Sequence, residues 1–270
     1  MMQNRPKKKW GQNFLKDKNI ARKIVRAAQA TPENLIIEIG PGRGALTDLL
    51  LDCGAPYLGI EIDPRWATEL RERFSAHPNF TLMEQDFLET GLAEVFQRYP
   101  GKKPLIIGNI PYNITSPILF KLFDHADDLQ TAILMTQKEV GERLKAPPAT
   151  KDYGLLAING QLFAEINYLF TVPARLFFPQ PKVDSAVIKF RFKKSVQTQF
   201  RDFPLFKDVL RHCFQHRRKM LRKSLSMLFP SLQLSKLSVN LTRRPESLSI
   251  PEWVELAESI HRSIEEERVL

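Results

Sequence analysis

The sequence passes from an apolar run, Leu35-Ile36-Ile37-Glu38-Ile39, through Gly40-Pro41-Gly42-Arg43-Gly44 into the helix-period segment Ala45–Cys53, which Gly54 ends. Glycines between a strand and a helix let the backbone turn sharply and approach a ligand closely, so Gly40 and Gly42 mark a unit with a ligand at its turn. Such a unit buries its strand inside a sheet covered by helices. The rhythm continues downstream. Tyr57–Ile62, Phe80–Gln85, Pro104–Gly108, Thr131–Thr136, Ile166–Phe170 and Ser185–Phe192 read as strands separated by helix-period segments, with Asp63-Pro64 capping and opening the second helix. The expected class is α/β, a doubly wound, Rossmann-like parallel sheet.

After Lys194 the texture changes. Phe206, Val209, Leu210, Cys213 and Phe214 share one helix face and Leu221, Leu225 and Leu228 another, while Ser249-Ile250-Pro251-Glu252 is a capping box ahead of Trp253, Leu256, Ala257 and Ile260. Residues 1–194 are expected to form the larger domain and 195–270 a smaller helical one. No apolar run approaches the roughly 20 residues that span a bilayer. The basic stretch Arg5-Pro6-Lys7-Lys8-Lys9 leads into Trp10-Gly11-Gln12-Asn13 rather than into the apolar core of a secretory signal. Cys53 and Cys213 are the only cysteines and lack a Cys-x-x-Cys partner, which excludes a disulfide framework and a cysteine zinc site. His212 and His216 stand at the spacing of a helical zinc pair, but with no third ligand and no intervening Glu, so no metal is expected. These features point to a reducing compartment, the cytoplasm, and to no membrane partner.

The net charge of +10 is unevenly placed. Residues 1–26 hold nine Lys/Arg and one Asp, residues 27–188 hold 14 basic and 20 acidic side chains, and residues 189–223 hold 12 basic and two acidic. An acidic middle flanked by two strongly basic segments suits a polyanion-binding surface around a separate pocket, and nucleic acid is the leading partner. Lys7, Lys8 and Lys9 read as a basic arm. Arg217, Arg218, Lys219, Arg222 and Lys223 cluster at helical spacing beside Leu221 and Leu225, one face for packing and the other for phosphates.

The glycine loop fits Gly-x-Gly-x-x-Ala, and Glu61, 21 residues after Gly40, stands where a carboxylate accepts from ribose hydroxyls. These two features alone leave a nicotinamide dehydrogenase and an S-adenosylmethionine enzyme both open. Three others favour the second. Glu38, inside the strand before the loop, suits a cationic sulfonium or ammonium better than a pyrophosphate. Asp86 closes the third strand, where it can accept from an adenine amino group. Asn109-Ile110-Pro111-Tyr112 follows the fourth strand. Ligands of open α/β sheets lie at the carboxyl ends of the strands, so Gly40, Glu61, Asp86 and Asn109 are expected to face one crevice. There the Asn109 amide oxygen and the Ile110 carbonyl can each accept an N–H of an exocyclic amine, which localises the nitrogen lone pair. Pro111 biases Ile110 toward an extended conformation, and Tyr112 offers a face on which a purine stacks.

With these residues in view, the chain resembles the KsgA family of small-subunit ribosomal RNA adenine N6,N6-dimethyltransferases along nearly its whole length. Gln12-Asn13-Phe14-Leu15, Glu38-Ile39-Gly40-Pro41-Gly42, Glu61-Ile62-Asp63, Asp86, Asn109-Ile110-Pro111-Tyr112, Gln137-Lys138-Glu139-Val140 and Phe177–Ser185 match its motifs in order. The resemblance implies that Asn13, Leu15, Gly40, Glu61, Asp86 and Asn109 bind S-adenosylmethionine and that Tyr112 and Phe177 sandwich a flipped adenine. It also implies four methyl transfers to two adjacent adenosines near the 3′ end of the small-subunit (16S) RNA, within a pre-ribosomal particle, by a protein acting in subunit biogenesis and expected to be a monomer. An assembly factor with vestigial methylation and a large-subunit RNA methyltransferase are the alternatives.

Overall fold

The structure is a computed structural model and describes residues 10–269. Lys7, Lys8 and Lys9 lie outside the described residues. In chain order the elements are β1 (Phe14–Leu15), α1 (Lys18–Ala28), β2 (Asn34–Ile39), α2 (Thr47–Leu51), β3 (Tyr57–Glu61), α3 (Pro64–Phe74) and β4 (Phe80–Glu84). There follow α4 (Leu92–Gln97), β5 (Lys103–Asn109), α5 (Thr115–Asp124), β6 (Thr131–Gln137), α6 (Lys138–Arg143) and α7 (Leu155–Phe163). Last come β7 (Ala164–Val172), β8 (Phe177–Phe178), β9 (Ser185–Phe192), α8 (Phe203–Gln215), α9 (Leu221–Leu228) and α10 (Ile250–Val269).

The chain divides into two compact units. The first comprises the residues up to Glu142 together with Ala164–Lys193; the second comprises Arg143–Phe163 and the residues from Lys194 on. The segment Arg143–Phe163, which the sequence pattern runs on within the first domain, thus clusters with the second unit.

A seven-stranded sheet in the order β4-β3-β2-β5-β6-β9-β7 forms the first unit. The strands from β4 to β6 are parallel, whereas β9 runs antiparallel to both β6 and β7. A parallel neighbour needs a long crossover, and no helix longer than a short 3-10 turn separates β7 from β9, so the last two strands depart from the expected parallel order. β2 is buried along its whole length, as are Leu105, Ile106 and Ile107 of β5 and Ile133 and Leu134 of β6. Burial on both faces accounts for their continuous rather than alternating apolar pattern. Strand order reverses between β2 and β5, and there the register pairs Ile39 with Ile60 on one side and Gly108 on the other. Gly40, Glu61 and Asn109 therefore sit one residue beyond a common line, at the carboxyl ends of the strands.

In the second unit, Phe206, Val209, Leu210 and Cys213 bury one face of α8, joined by Leu221 and Leu225 of α9 and by Trp253, Leu256, Ala257 and Ile260 of α10. The capping box forms as expected: the Ser249 backbone N–H donates to Glu252 Oε2 at 2.8 Å and the Glu252 N–H donates to Ser249 Oγ at 3.4 Å. The segment 143–163 is tied in by Phe163, edge-on to Phe203 with ring centroids 5.8 Å apart, and by the Ala149 N–H, which donates to the Glu246 carbonyl at 2.7 Å. Arg217, Arg218 and Lys219 occupy the turn between α8 and α9, which corrects the single helical face drawn from their spacing. α8 ends at Gln215, and a new helix begins only at Leu221.

Gly108 is required by the close approach of β2 and β5. A Cβ there would lie 2.6 Å from the Ile39 carbonyl oxygen. Gly108→Ala is expected to destabilise the first unit by about 1–3 kcal/mol, because backbone rather than a flexible side chain must give way. Thermal unfolding followed by circular dichroism would show it, with Gly154→Ala, where an added Cβ makes only ordinary contact, as the control.

Candidate active site

A cleft opens at the carboxyl ends of β2, β3 and β5, where open α/β sheets place their ligands. Three walls enclose it: a strap formed by residues 10–14, the glycine loop with Glu61 and Ile62, and the segment Asn109-Ile110-Pro111-Tyr112.

The strap is fastened at several points. Gln12 Nε2 donates to Asp63 Oδ2 at 3.0 Å, Asn109 Nδ2 donates to the Asn13 carbonyl at 2.6 Å, and Asn13 Nδ2 donates to the Gly11 carbonyl at 3.1 Å. β1 pairs antiparallel with β8, matching Phe14 with Phe178 and Leu15 with Phe177. The Phe14 ring meets Trp66 edge-on at 5.1 Å. Asp63 also caps α3 and forms an ion pair with Arg65. Burial pushes its carboxyl upward, but the hydrogen bonds from Arg65 and Gln12 outweigh this and leave it below its ordinary value.

On the opposite wall Gly40 and Gly42 have φ of 62° and 55°, the left-handed region in which glycine carries no steric cost. A Cβ at Gly42 would stand 2.7 Å from the Phe14 ring, so the loop and the strap touch only because that side chain is absent. Glu61, buried, accepts the Gly42 N–H through Oε2 and the Asp63 N–H through Oε1, each at 2.9 Å. Burial raises its pKa against the opposing pull of those N–H groups.

Glu38 does not line this cleft, which corrects its placing beside a sulfonium. Its Oε2 accepts from Thr47 Oγ1 and from the Tyr57 hydroxyl, both at 2.7 Å. It is a buried brace from β2 to α2 and β3, and desolvation pushes its carboxyl up to about 7, aided by the charges of Glu61 and Asp48 and opposed by the two hydroxyls.

Asn109 lines the cleft and commits its amide N–H to the strap, so Oδ1 remains as the group able to accept from a ligand. Ile110 is buried, with its N–H donated to the Met135 carbonyl at 3.2 Å. Pro111, at φ −59° and ψ 134°, leads into the short turn that carries Tyr112. The Tyr112 hydroxyl lies 2.6 Å from Ser185 Oγ, and burial raises its pKa.

Of the other expected site residues, Leu15 turns into the core and holds the strap from behind. Asp86 lies beyond the end of β4, where Oδ1 accepts the Leu88 N–H at 2.8 Å, and it is not among the residues lining the cleft. Phe177 is 1% exposed and packed in the hydrophobic core, so its ring offers no face to a base and the expected sandwich with Tyr112 is not formed; the neighbouring Phe178 is 50% exposed. Of the basic cluster, Arg218, Lys219, Arg222 and Lys223 are exposed. Arg217 is half-buried, donates to the Thr150 carbonyl at 3.0 Å and pairs with Glu246 at 3.6 Å, so its guanidinium is engaged by the fold. His212 shares a hydrogen bond with the Ser224 carbonyl at 3.0 Å. Among the described residues no group of three or more His, Cys, Asp or Glu is arranged to hold a metal ion, and no helix is long and apolar enough to cross a membrane. Residue reasoning missed Trp10, Ile62 and Ser185 as parts of the site; only the order of matched motifs pointed near them.

A glycine turn with no room for a Cβ at Gly42, a buried carboxylate at the second strand end and an asparagine at the fourth fit S-adenosylmethionine. Fold and site together define an S-adenosylmethionine-dependent methyltransferase. Comparison with known proteins narrows the class. The profile of the family described as "Ribosomal RNA adenine dimethylase" matches residues 3–262, and the chain belongs to that family. Proteins named ribosomal RNA small subunit methyltransferase A are similar to it: that of Chlorobium phaeobacteroides is 45% identical over 94% of this chain and 91% of the relative, and that of Pseudomonas syringae pv. tomato is 36% identical over 97% of each. Among solved structures, a dimethyladenosine transferase from Plasmodium falciparum superposes with a TM-score of 0.76 at 27% identity, covering 93% of this chain and 98% of the other. The 23S rRNA methyltransferase ErmE gives 0.66 at 29% identity over 92% and 99%.

Two outcomes follow from this geometry. Asn109→Asp replaces the donor to the Asn13 carbonyl with a carboxylate oxygen that repels it. It is expected to lower methyl transfer by about 10- to 100-fold and to speed hydrogen exchange at residues 11–14, read by mass spectrometry. Glu38 holds its proton more tightly folded than unfolded, so its contribution to stability is full below about pH 4.5 and lost as pH rises through about 7. Glu38→Gln, which carries no charge, should lose less melting temperature than the parent between about pH 5 and 7.5; an unchanged slope would remove Glu38 as its source.

Proposed function

We propose that this chain transfers methyl groups from S-adenosylmethionine to N6 of two adjacent adenosines near the 3′ end of small-subunit ribosomal RNA, two to each, within a pre-ribosomal particle. It acts as a cytoplasmic monomer, and the modification belongs to small-subunit maturation. The observation that carries the proposal is the Asn109 amide, tied through its nitrogen to the strap with its oxygen left to accept, beside Ile110 and Tyr112. The names of relatives 36–45% identical along the chain support the choice of the small subunit.

Asn13, Gly40, Gly42 and Glu61 hold the cofactor in the cleft. Leu15 keeps the strap in place, and Asp86 accepts from the adenine amino group beyond β4. Bound there, S-adenosylmethionine supplies an electrophilic methyl group. The chain's own task is alignment. Asn109 Oδ1 accepts one N–H of the target amine and the Ile110 carbonyl the other, which draws the lone pair out of conjugation with the ring. Tyr112 stacks on the purine, worth about 1–3 kcal/mol. The methylated nitrogen is acidic enough to lose its proton to water, so no residue need act as a strong base.

Unmethylated small-subunit particles incubated with labelled cofactor should yield dimethyladenosine after digestion, mapped by primer extension to two neighbouring positions near the 3′ end. Absence of that nucleoside where a family relative produces it would overturn the proposal. Asn109→Ala should abolish transfer while particle binding survives.

Arg218, Lys219, Arg222 and Lys223 meet phosphates and position the RNA without reading its bases. Reversing Arg222 and Lys223 together to Glu should weaken particle binding and reduce the magnitude of its log-log salt slope by about 1 for each phosphate no longer neutralised, with cofactor affinity unchanged in calorimetry.

A further inference from the structure

Tyr112 reaches the cleft from a short turn after Pro111, where backbone restraint fixes where the side chain starts but not where the ring points. The ring is fixed from its other end. Its hydroxyl lies 2.6 Å from Oγ of Ser185, a fully buried residue at the first position of β9. Ser185 is itself immobilised without any help from Tyr112. The sheet register sets it against Gln137 of β6 on one side and Val172 of β7 on the other. The preceding Asp184 accepts the Ala174 N–H through Oδ1 at 2.9 Å and the Lys138 N–H through its carbonyl at 2.9 Å.

We infer that Ser185 is a positioning residue for methyl transfer: by tethering the Tyr112 hydroxyl to the sheet, it holds the ring as a preformed platform on which the target adenine stacks. The inference rests on the proposed function and adds to it the group that sets the angle of the stacked base. A ring anchored only at Cβ samples several rotamers, and each misdirected one turns the amine away from Asn109 Oδ1. Locking the ring before the base arrives removes that loss from the reactive complex. The phenol's part is mechanical. Its oxygen faces a serine, and burial keeps its proton on, so it neither takes nor gives a proton during transfer.

Steady-state methylation of unmethylated small-subunit particles by the full chain tests this with Ser185→Ala, Tyr112→Phe and the double variant. Each single change should lower kcat by about 3- to 10-fold, the range of one neutral hydrogen bond, with KM for particles and calorimetric affinity for S-adenosylmethionine unchanged. The double variant should be no slower than the slower single one, because both changes delete the same hydrogen bond. Full kcat in Tyr112→Phe would overturn the inference, as would a double variant whose loss is the product of the single losses. If Ser185→Ala fails to fold, Tyr112→Phe removes the tether from the other side with the serine in place, and its kcat decides alone. A parent protein that transfers no methyl groups at all would instead overturn the proposed function.

Discussion

One hydrogen bond joins two parts of the chain 96 residues apart and sets the working geometry of the cleft: Asn109 donates its amide nitrogen to the Asn13 carbonyl. An amide has one acceptor and one donor end, so engaging the donor determines which way the acceptor points. The strap that roofs the cleft and the asparagine that would orient a target amine are therefore a single structural unit. An aspartate could accept as well as an asparagine does, but it could not reach the strap without repulsion. The choice of asparagine is a requirement of the roof as much as of the chemistry.

Three buried acids, Asp63, Glu61 and Glu38, lie around the glycine loop, and the fold treats each differently. Asp63, met by Arg65 and Gln12, is held in its charged form and ties α3 to the strap. Glu61 receives two backbone N–H groups, which offset part of the cost of its burial and leave it facing the cleft. Glu38 meets only hydroxyls and sits close to half-protonated near neutrality. A full charge there would feel those of Glu61 and Asp48 from within a desolvated interior, so a brace that can remain neutral suits the position.

The strand framework was legible because buried parallel strands are continuous apolar runs, and the expected ends of β2, β3, β4 and β5 fall within a residue or two of those observed. Gly40, Glu61 and Asn109 could be placed on one crevice from that register alone. Phe177 and Phe178 could not be told apart in the same way. In a two-residue strand, alternation sends one side chain inward and the next outward, and nothing local says which. Arg217 looked like its neighbours because an ion pair with Glu246 leaves no periodic trace. The same holds for Ser185, whose partner lies 73 positions away. The segment 143–163 carries helix-period residues like those before it, and only tertiary packing assigns it to the second unit.

The pairing of β1 with β8 also orders events in time. Residues 14 and 15 leave a ribosome early, yet the strand that fastens them includes Phe177 and Phe178. A nascent chain can make the ties from the strap to Asp63, Trp66 and Asn109 long before it can pair β1 with a strand. The last fastening of the roof therefore arrives late in synthesis, after two thirds of the polypeptide has been made.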